Sequence, residues 1–263
     1  MKRISLLLLL VCIMGIASQA QVTNLPEGFT SNKAVWIVRA GIGFSGASGE
    51  GVDAIKENWE KAKPNSKWSS EGEFRRVFGG NASFGFTKNF ANGPVYWGMD
   101  LGMSMRGYET EASWDIYATS SVSGGYDSHY KSEKSTLIAF SAQLTPINIG
   151  YRYIINDKMA VDVHVGGFAS YDFAGKLETE TRDHIFITGK YGTNNKTTDK
   201  ENSVNIGDID SYRNFDFGVI GGIGFWFGHF NIDVSYQQGF VSMYDSDKSL
   251  TNNKLQARLG YAF

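Results

Sequence analysis

Cysteine is nearly absent from this chain: the single residue, Cys12, lies among the first twenty. Proline is scarce, with 4 in 263 residues. A chain whose only thiol lies that early has no disulfide framework and no thiolate metal site in its body. No apolar run after residue 20 approaches the about 20 residues a spanning helix needs. That excludes a bundle of membrane helices but not a closed β-barrel, which also satisfies its backbone groups inside lipid. The formal charge is −2 and Lys and Arg do not cluster, so a nucleic-acid surface is excluded as well. No G-x-S-x-G or H-E-x-x-H motif is present, and no cofactor-binding motif. Gly221-Gly222-Ile223-Gly224 falls inside a strand pattern, which rules it out as a phosphate loop.

What is plentiful is glycine, with 31 residues, and aromatic side chains, at 14%. At the N-terminus, Lys2 and Arg3 precede an apolar run over 4–17, and Ser18-Gln19-Ala20 offers small residues for a signal peptidase. These features predict a secretory leader over 1–20. A lipoprotein reading on Cys12 fails, because Val11 stands where a small residue is expected. Cleavage after Ala20 would leave one β domain over 21–263 and shift the formal charge from −2 to −4.

Eight segments alternate with period two, the signature of a half-buried strand. The first sets Trp36, Val38, Ala40, Ile42 and Phe44 against Ile37, Arg39, Gly41 and Gly43. Comparable segments start near Phe78, Val95, Ile138, Val161, Phe215, Phe230 and Leu255, the last ending at Phe263. In the fourth, parity slips near Thr145-Pro146, which predicts a β-bulge, where proline is tolerated. Connections alternate in length. Short turns fall at 89–94, 156–158 and 228–229, and longer loops at 45–73, 109–135, 176–212 and 244–252. Short turns at one end and long loops at the other is the plan of an outer-membrane barrel.

A soluble ligand-binding barrel also alternates, with its apolar face inward. Charge decides between the two. The apolar faces carry none within the span, whereas the opposite faces hold Arg39, Arg106, Arg152 and Arg258 with Asp100, Asp162, Asp172, Asp216 and Asp233. An Arg or Lys facing the bilayer midplane costs about 2–4 kcal/mol, so complete exclusion marks the lipid side. Aromatics add two belts suited to headgroup regions. Trp36, Phe86, Trp97, Tyr151, Tyr153, Phe227, Phe230, Tyr261 and Phe263 lie at the short-turn end. Phe44, Phe78, Tyr171, Phe173, Phe215 and Phe240 lie at the other.

With its leader, eight segments and the ending Leu259-Gly260-Tyr261-Ala262-Phe263, the chain resembles the small outer-membrane β-barrel family, also called the porin family or outer membrane protein beta-barrel domain. The likeness spans the whole mature chain. It implies a location in the outer membrane, contact with its lipid, and assembly by the barrel-assembly machinery, with Tyr261 and Phe263 resembling the C-terminal assembly signal. It implies no catalytic residues.

The expected fold is a single eight-stranded antiparallel up-and-down transmembrane β-barrel, both termini periplasmic. Ten strands is the alternative, should 176–190 pair as an extra hairpin. Eight strands enclose a space that side chains fill. The inward set, joined by His164 two residues from Asp162, is therefore expected to form a lumen network of ion pairs and hydrogen bonds. The other histidines fall in loops (His129, His184) or a turn (His229). In the first loop Val52, Ile55, Trp59 and Ala62 have helical spacing: a short amphipathic helix could cap the barrel mouth or lie on the outer surface, with a solvated loop helix as the default. The second loop carries Trp114, Tyr117, Tyr126 and Tyr130, aromatics common at recognition surfaces; the alternative is that they only continue the hairpin beyond the membrane. The favoured role is a monomeric structural or surface-interaction barrel, not an enzyme, meeting an extracellular ligand through its loops. A narrow porin-like conduit and a lipid-modifying enzyme are the alternatives. No cofactor or metal is expected.

Overall fold

The computed structural model describes residues 24–61, 69–91, 93–119, 126–189 and 192–263. The expected leader and the loop-helix residue Ala62 lie outside the described residues. Tyr117 and Tyr126 lie in strands, but their side chains also fall outside that description.

Ten strands form one antiparallel sheet: β1 (Val35–Ser48), β2 (Ser69–Arg75), β3 (Val77–Asn89), β4 (Val95–Thr119), β5 (Tyr126–Asn156), β6 (Met159–Gly189), β7 (Gly192–Asn205), β8 (Phe215–Phe227), β9 (Phe230–Ser242) and β10 (Thr251–Ala262). Eight of them close a ring in the order β1-β3-β4-β5-β6-β8-β9-β10. The last strand seals the first, from Ile37↔Ala262 to Ser48↔Thr251. The three short turns fall where parity placed them, and the two-residue turn at Gly228-His229 uses a glycine at φ 58°. The expected bulge is present: the β5–β6 register shifts between Leu144 and Ile147.

Alternation becomes an outer wall and a lumen. Trp36, Phe44, Leu101, Val165, Phe217 and Leu259 project outward and are exposed, while their neighbours along each strand are buried or half-buried. Both barrel ends are filled by apolar side chains, at positions where the polar-inward pattern breaks. At the short-turn end, the 3-10 turn Glu27–Phe29 tucks Phe29 beneath the ring, against Val35, Ile37, Ala160, Trp226 and Ala262. At the loop end, Tyr108, Leu137 and Ala139 meet Ile206, Tyr212, Met243 and Leu250.

The long loops depart from expectation. The second and third were read as connections over 109–135 and 176–212. Instead β4 runs on to Thr119, β5 starts at Tyr126, and β6 continues to Gly189 before β7 returns along it. Residues 176–189 do pair with 192–205 as a hairpin, but outside the ring, so the barrel keeps eight strands. β2 pairs only with β4, from Ser69↔Asp115 to Arg75↔Glu109. A five-stranded blade, β2-β4-β5-β6-β7, therefore stands above the barrel. The blade borders neither lipid nor lumen along most of its length, so no regular apolar alternation marked it in the sequence.

The first-loop helix also departs from the solvated default. α1 (Glu50–Lys61) carries Glu50 and Asp53 in its first turn, where acidic groups suit the helix dipole. Val52 is buried in the loop-end cap. Trp59 packs on Phe74 of the blade at 5.8 Å between ring centroids, and lies over Gly72, where a Cβ would collide with the indole.

Leu101 sits midway along the ring part of β4 and is one of the most exposed outward residues. Leu101→Arg is expected to cost about 2–4 kcal/mol in lipid, where arginine faces hydrocarbon. Ser113→Arg in the blade should cost less than about 0.5 kcal/mol. Urea unfolding of the protein in liposomes measures both.

Candidate functional site: the barrel lumen

The strand parity that places leucine and phenylalanine outside turns arginine and aspartate toward the axis. Ten inward residues were expected from the sequence to meet there, and all ten lie inside the barrel. They form four groups along the axis.

Highest, below the loop-end cap, Arg106 holds two carboxylates. Its Nε and Nη2 donate to Asp172 at 2.8 and 2.6 Å, and Nη1 donates to Asp216 at 2.8 Å. Asp172 also accepts from Ser141 and from the Tyr212 hydroxyl, each at 2.5 Å. Burial beside that carboxylate holds the Tyr212 phenol above its ordinary value, so it remains a donor and ties the loop to the lumen. In the middle, Arg258 Nε and Nη2 donate to Asp233 at 2.8 and 2.7 Å, with Ser235 donating to the same oxygen. Beside it, Arg39 Nη1 donates to Asp100 at 2.7 Å. His164 lies between two carboxylates, 3.4 Å from Asp162 through Nδ1 and 3.4 Å from Asp233 through Nε2.

Lowest, Asp162 accepts from the Tyr96 hydroxyl at 3.0 Å and from the Trp226 indole. Arg152 differs from the other lumen arginines: it makes no direct ion pair among the described residues. Its guanidinium lies 3.6 Å from the centre of the Phe29 ring and 4.4 Å from that of Tyr96. Nη2 donates to Thr87 at 3.3 Å, while Nε and Nη1 have no partner. Stacking on aromatic faces offsets part of the cost of burying that charge. Asn89 Nδ2 donates to the Phe29 carbonyl at 2.8 Å, fixing the plug on which Arg152 rests.

The sequence pattern set Tyr96 and Lys254 on the inward face without assigning them to the network, and it passed over Trp226 and Phe29. Lys254 shares the inward parity of Gln256 and Arg258, so its placement was readable. It is 1% exposed, and its Nζ has no hydrogen-bond partner among the described residues. With it the lumen holds as many Lys and Arg side chains as aspartates. Tyr96 and Trp226 are amphipathic, and nothing in a single chain says that their polar atoms would meet Asp162. Tyr261 and Phe263 lie on the outer wall beside the closing seam, where the Phe263 N–H donates to Trp36 O at 3.0 Å.

Little space is left. A polar chamber bordered by Asn81, Ser83, Gln143, Gln256 and Arg258 has a free volume of about 20 Å³, room for one or two waters. Among the described residues no group of three or more His, Cys, Asp or Glu could hold a metal ion. The three remaining histidines bond elsewhere: His129 to Asp183, His184 to Asn195 at 2.7 Å, and His229 to Ala262 O at 2.6 Å.

The model of the family described as outer membrane protein beta-barrel domain matches residues 19–245. No curated protein matches the chain. Among solved structures it is similar to Ail, the attachment invasion locus protein of Yersinia pestis, solved with the heparin analogue sucrose octasulfate: 13% identity, 88% of this chain and 99% of that one covered, TM-score 0.32. It is similar also to Neisserial surface protein A, at 11% identity, with 87% and 97% covered and a TM-score of 0.30. KdgM porin is more distant, at 10% identity, with 85% and 99% covered and a TM-score of 0.17. The chain belongs to the outer membrane protein beta-barrel domain family, and the outer membrane is its location.

The Arg39–Asp100 pair gives a direct measure of what the network contributes. Asp100→Ala strands a buried guanidinium and is expected to destabilise the barrel by about 3–5 kcal/mol. The double variant Arg39→Met with Asp100→Leu should recover most of that loss, since an apolar pair carries no desolvation cost. Urea midpoints in detergent compare the three proteins.

Proposed function

We propose that this protein is a surface-interaction protein in which a sealed barrel anchors an extracellular blade. The observation that carries this reading is strand length. β4 has 25 residues, and β5 and β6 have 31 each. A barrel strand needs about 9–11 residues to cross a membrane. Some twenty residues of β5 and of β6 are therefore paired beyond the bilayer, stiffened by β2 and β7 on either side.

The blade has two unlike faces. One continues the outer wall. There Arg75 pairs with Glu73, Glu109 and Glu111, Lys134 with Glu109, and Arg182 with Asp199. The other continues the lumen side and carries Trp114 under Lys131, with the His129–Asp183 pair in the same ladder. An extracellular ligand meeting the blade finds a rigid, polar, aromatic-bearing surface. On this reading the barrel has no catalytic role, and the lumen ion pairs, Arg39–Asp100, Arg106–Asp172–Asp216 and Arg258–Asp233, are structural. The leader over 1–20 is removed, 21–263 is the mature domain, and the protein works as a monomer.

Two experiments test the anchor. In planar bilayers the refolded protein is expected to pass no discrete current steps, because both mouths are filled. Steps that persist after purification from other porins would replace this reading with the conduit. Phe263→Ser is expected to lower the amount of folded barrel severalfold, the terminal Phe serving the assembly machinery. The heat-modifiable band on a gel reads that fraction, and an unchanged band removes the signal role from Phe263.

A further inference from the structure

We propose that the far end of the blade inserts into a facing phospholipid bilayer that carries no net charge. The proposal rests on the surface-interaction reading and names the partner. It starts from one apolar run in an otherwise polar sheet. Ile185, Phe186 and Ile187 follow one another on β6, close to its end at Gly189. Ile187 is exposed, at 42%, and the other two are half-buried. Their partners across both ladders are polar. Ile185 stands between His129 and Lys196, Phe186 between Ser128 and Asn195, and Ile187 between Asp127 and Asn194. None of the three belongs to the loop-end cap or to the core around Phe29. Strand pairing alone does not call for them either, since β7 keeps the same ladder with Asn, Lys and Thr. Three successive apolar residues on a polar surface mark a contact that the chain itself leaves open.

Both faces of the sheet take part. Ladder parity puts Ile185 and Ile187 on the face that continues the lumen side, with Asp183. Phe186 goes to the opposite face, with Arg182 and with Tyr130, itself 37% exposed. A protein laid on the blade would cover one of these faces. End-on entry into a lipid interface covers both at once. The position suits such entry. From Leu177, packed at the cap, to Ile187 the strand rises roughly 30 Å. This end therefore stands clear of the protein's own bilayer and is presented to a second surface.

Charge selects the kind of lipid. Over 115–131 and 183–196 the sequence sets Lys131, Lys190 and Lys196 against Asp115, Asp127 and Asp183. With no excess of either sign, attraction to anionic headgroups has no source at this end. What remains is the burial of apolar side chains at the boundary between headgroups and acyl chains. A zwitterionic bilayer supplies that boundary without demanding a charge partner.

Co-flotation tests this, with the protein over 21–263 refolded into nanodiscs and mixed with phosphatidylcholine vesicles. Wild type should float with the vesicles, with empty nanodiscs as the control. Phe186→Thr and Ile187→Thr keep a strand-forming residue and the same charge. Each should lower capture about tenfold, because both faces enter the lipid. The heat-modifiable band checks that each variant is folded. Cys12 is the only cysteine of the sequence and lies outside 21–263. Ile187→Cys therefore takes a single environment-sensitive dye, whose emission should shift to the blue when vesicles are added. Failure of wild type to float overturns the proposal and leaves the surface-interaction reading to the conductance test. Capture that falls in only one of the two threonine variants overturns end-on entry and points to a protein on a single face. Capture that requires phosphatidylserine overturns the apolar basis of binding.

Discussion

Inside hydrocarbon a peptide group has no water to bond with, and this constraint shapes the whole molecule. A strand there must pair on both edges, so the sheet must close on itself. β10 against β1 supplies the closure. Once the ring is shut, each residue has one of two environments, acyl chains or lumen, and the period of two sorts them. The ionic side chains go inward because hydrocarbon excludes them. The lumen of eight strands is so narrow that they are forced into contact. The network of Arg39, Arg106 and Arg258 with their aspartates thus follows from closure.

The ring strands were legible for the same reason. Between lipid and a polar lumen, an alternating sequence is nearly obligatory, and Trp36 to Phe44 or Phe215 to Phe227 announce themselves. The bulge at Thr145-Pro146 was readable as a slip in parity. The blade was not. Residues such as 128–136 and 195–205 border neither acyl chains nor the lumen, and no selection for apolar alternation acts on them. Their pairing is templated by the strands that rise from the barrel, which is a property of the fold and not of their own composition. The role of the inward apolar residues was less legible: Ile37 stood on the inward face, but that it, Leu137 and Trp226 fill the ends of the barrel follows only from the packing.

In the lumen, parity gave the positions but not the partners. That Arg258 would meet Asp233 follows from the register of β9 and β10, where the two lie opposite. That Arg106 would reach across to Asp172 and Asp216 depends on how strands far apart in sequence face each other across the axis. Arg152 shows the limit most clearly. Its inward position was evident, yet its surroundings are Phe29, Tyr96 and Trp226, and Phe29 comes from a segment before the first strand. An aromatic enclosure built from three distant segments has no signature in any one of them.

Filling the lumen and lengthening the strands are linked. A barrel kept open for solutes would need its ends clear. Here Phe29 blocks one end, and the cap of Tyr108, Leu137 and Leu250 blocks the other. Tyr108 and Leu137 lie on the same β4 and β5 that continue into the blade, and Val52 and Trp59 of α1 bridge cap to blade. The blade is thereby braced against a solid base. An unpaired loop of comparable length would lose conformational entropy on meeting a partner, whereas a hydrogen-bonded sheet has given it up on folding. Filling the ends of the barrel and stiffening the surface are two results of the same packing.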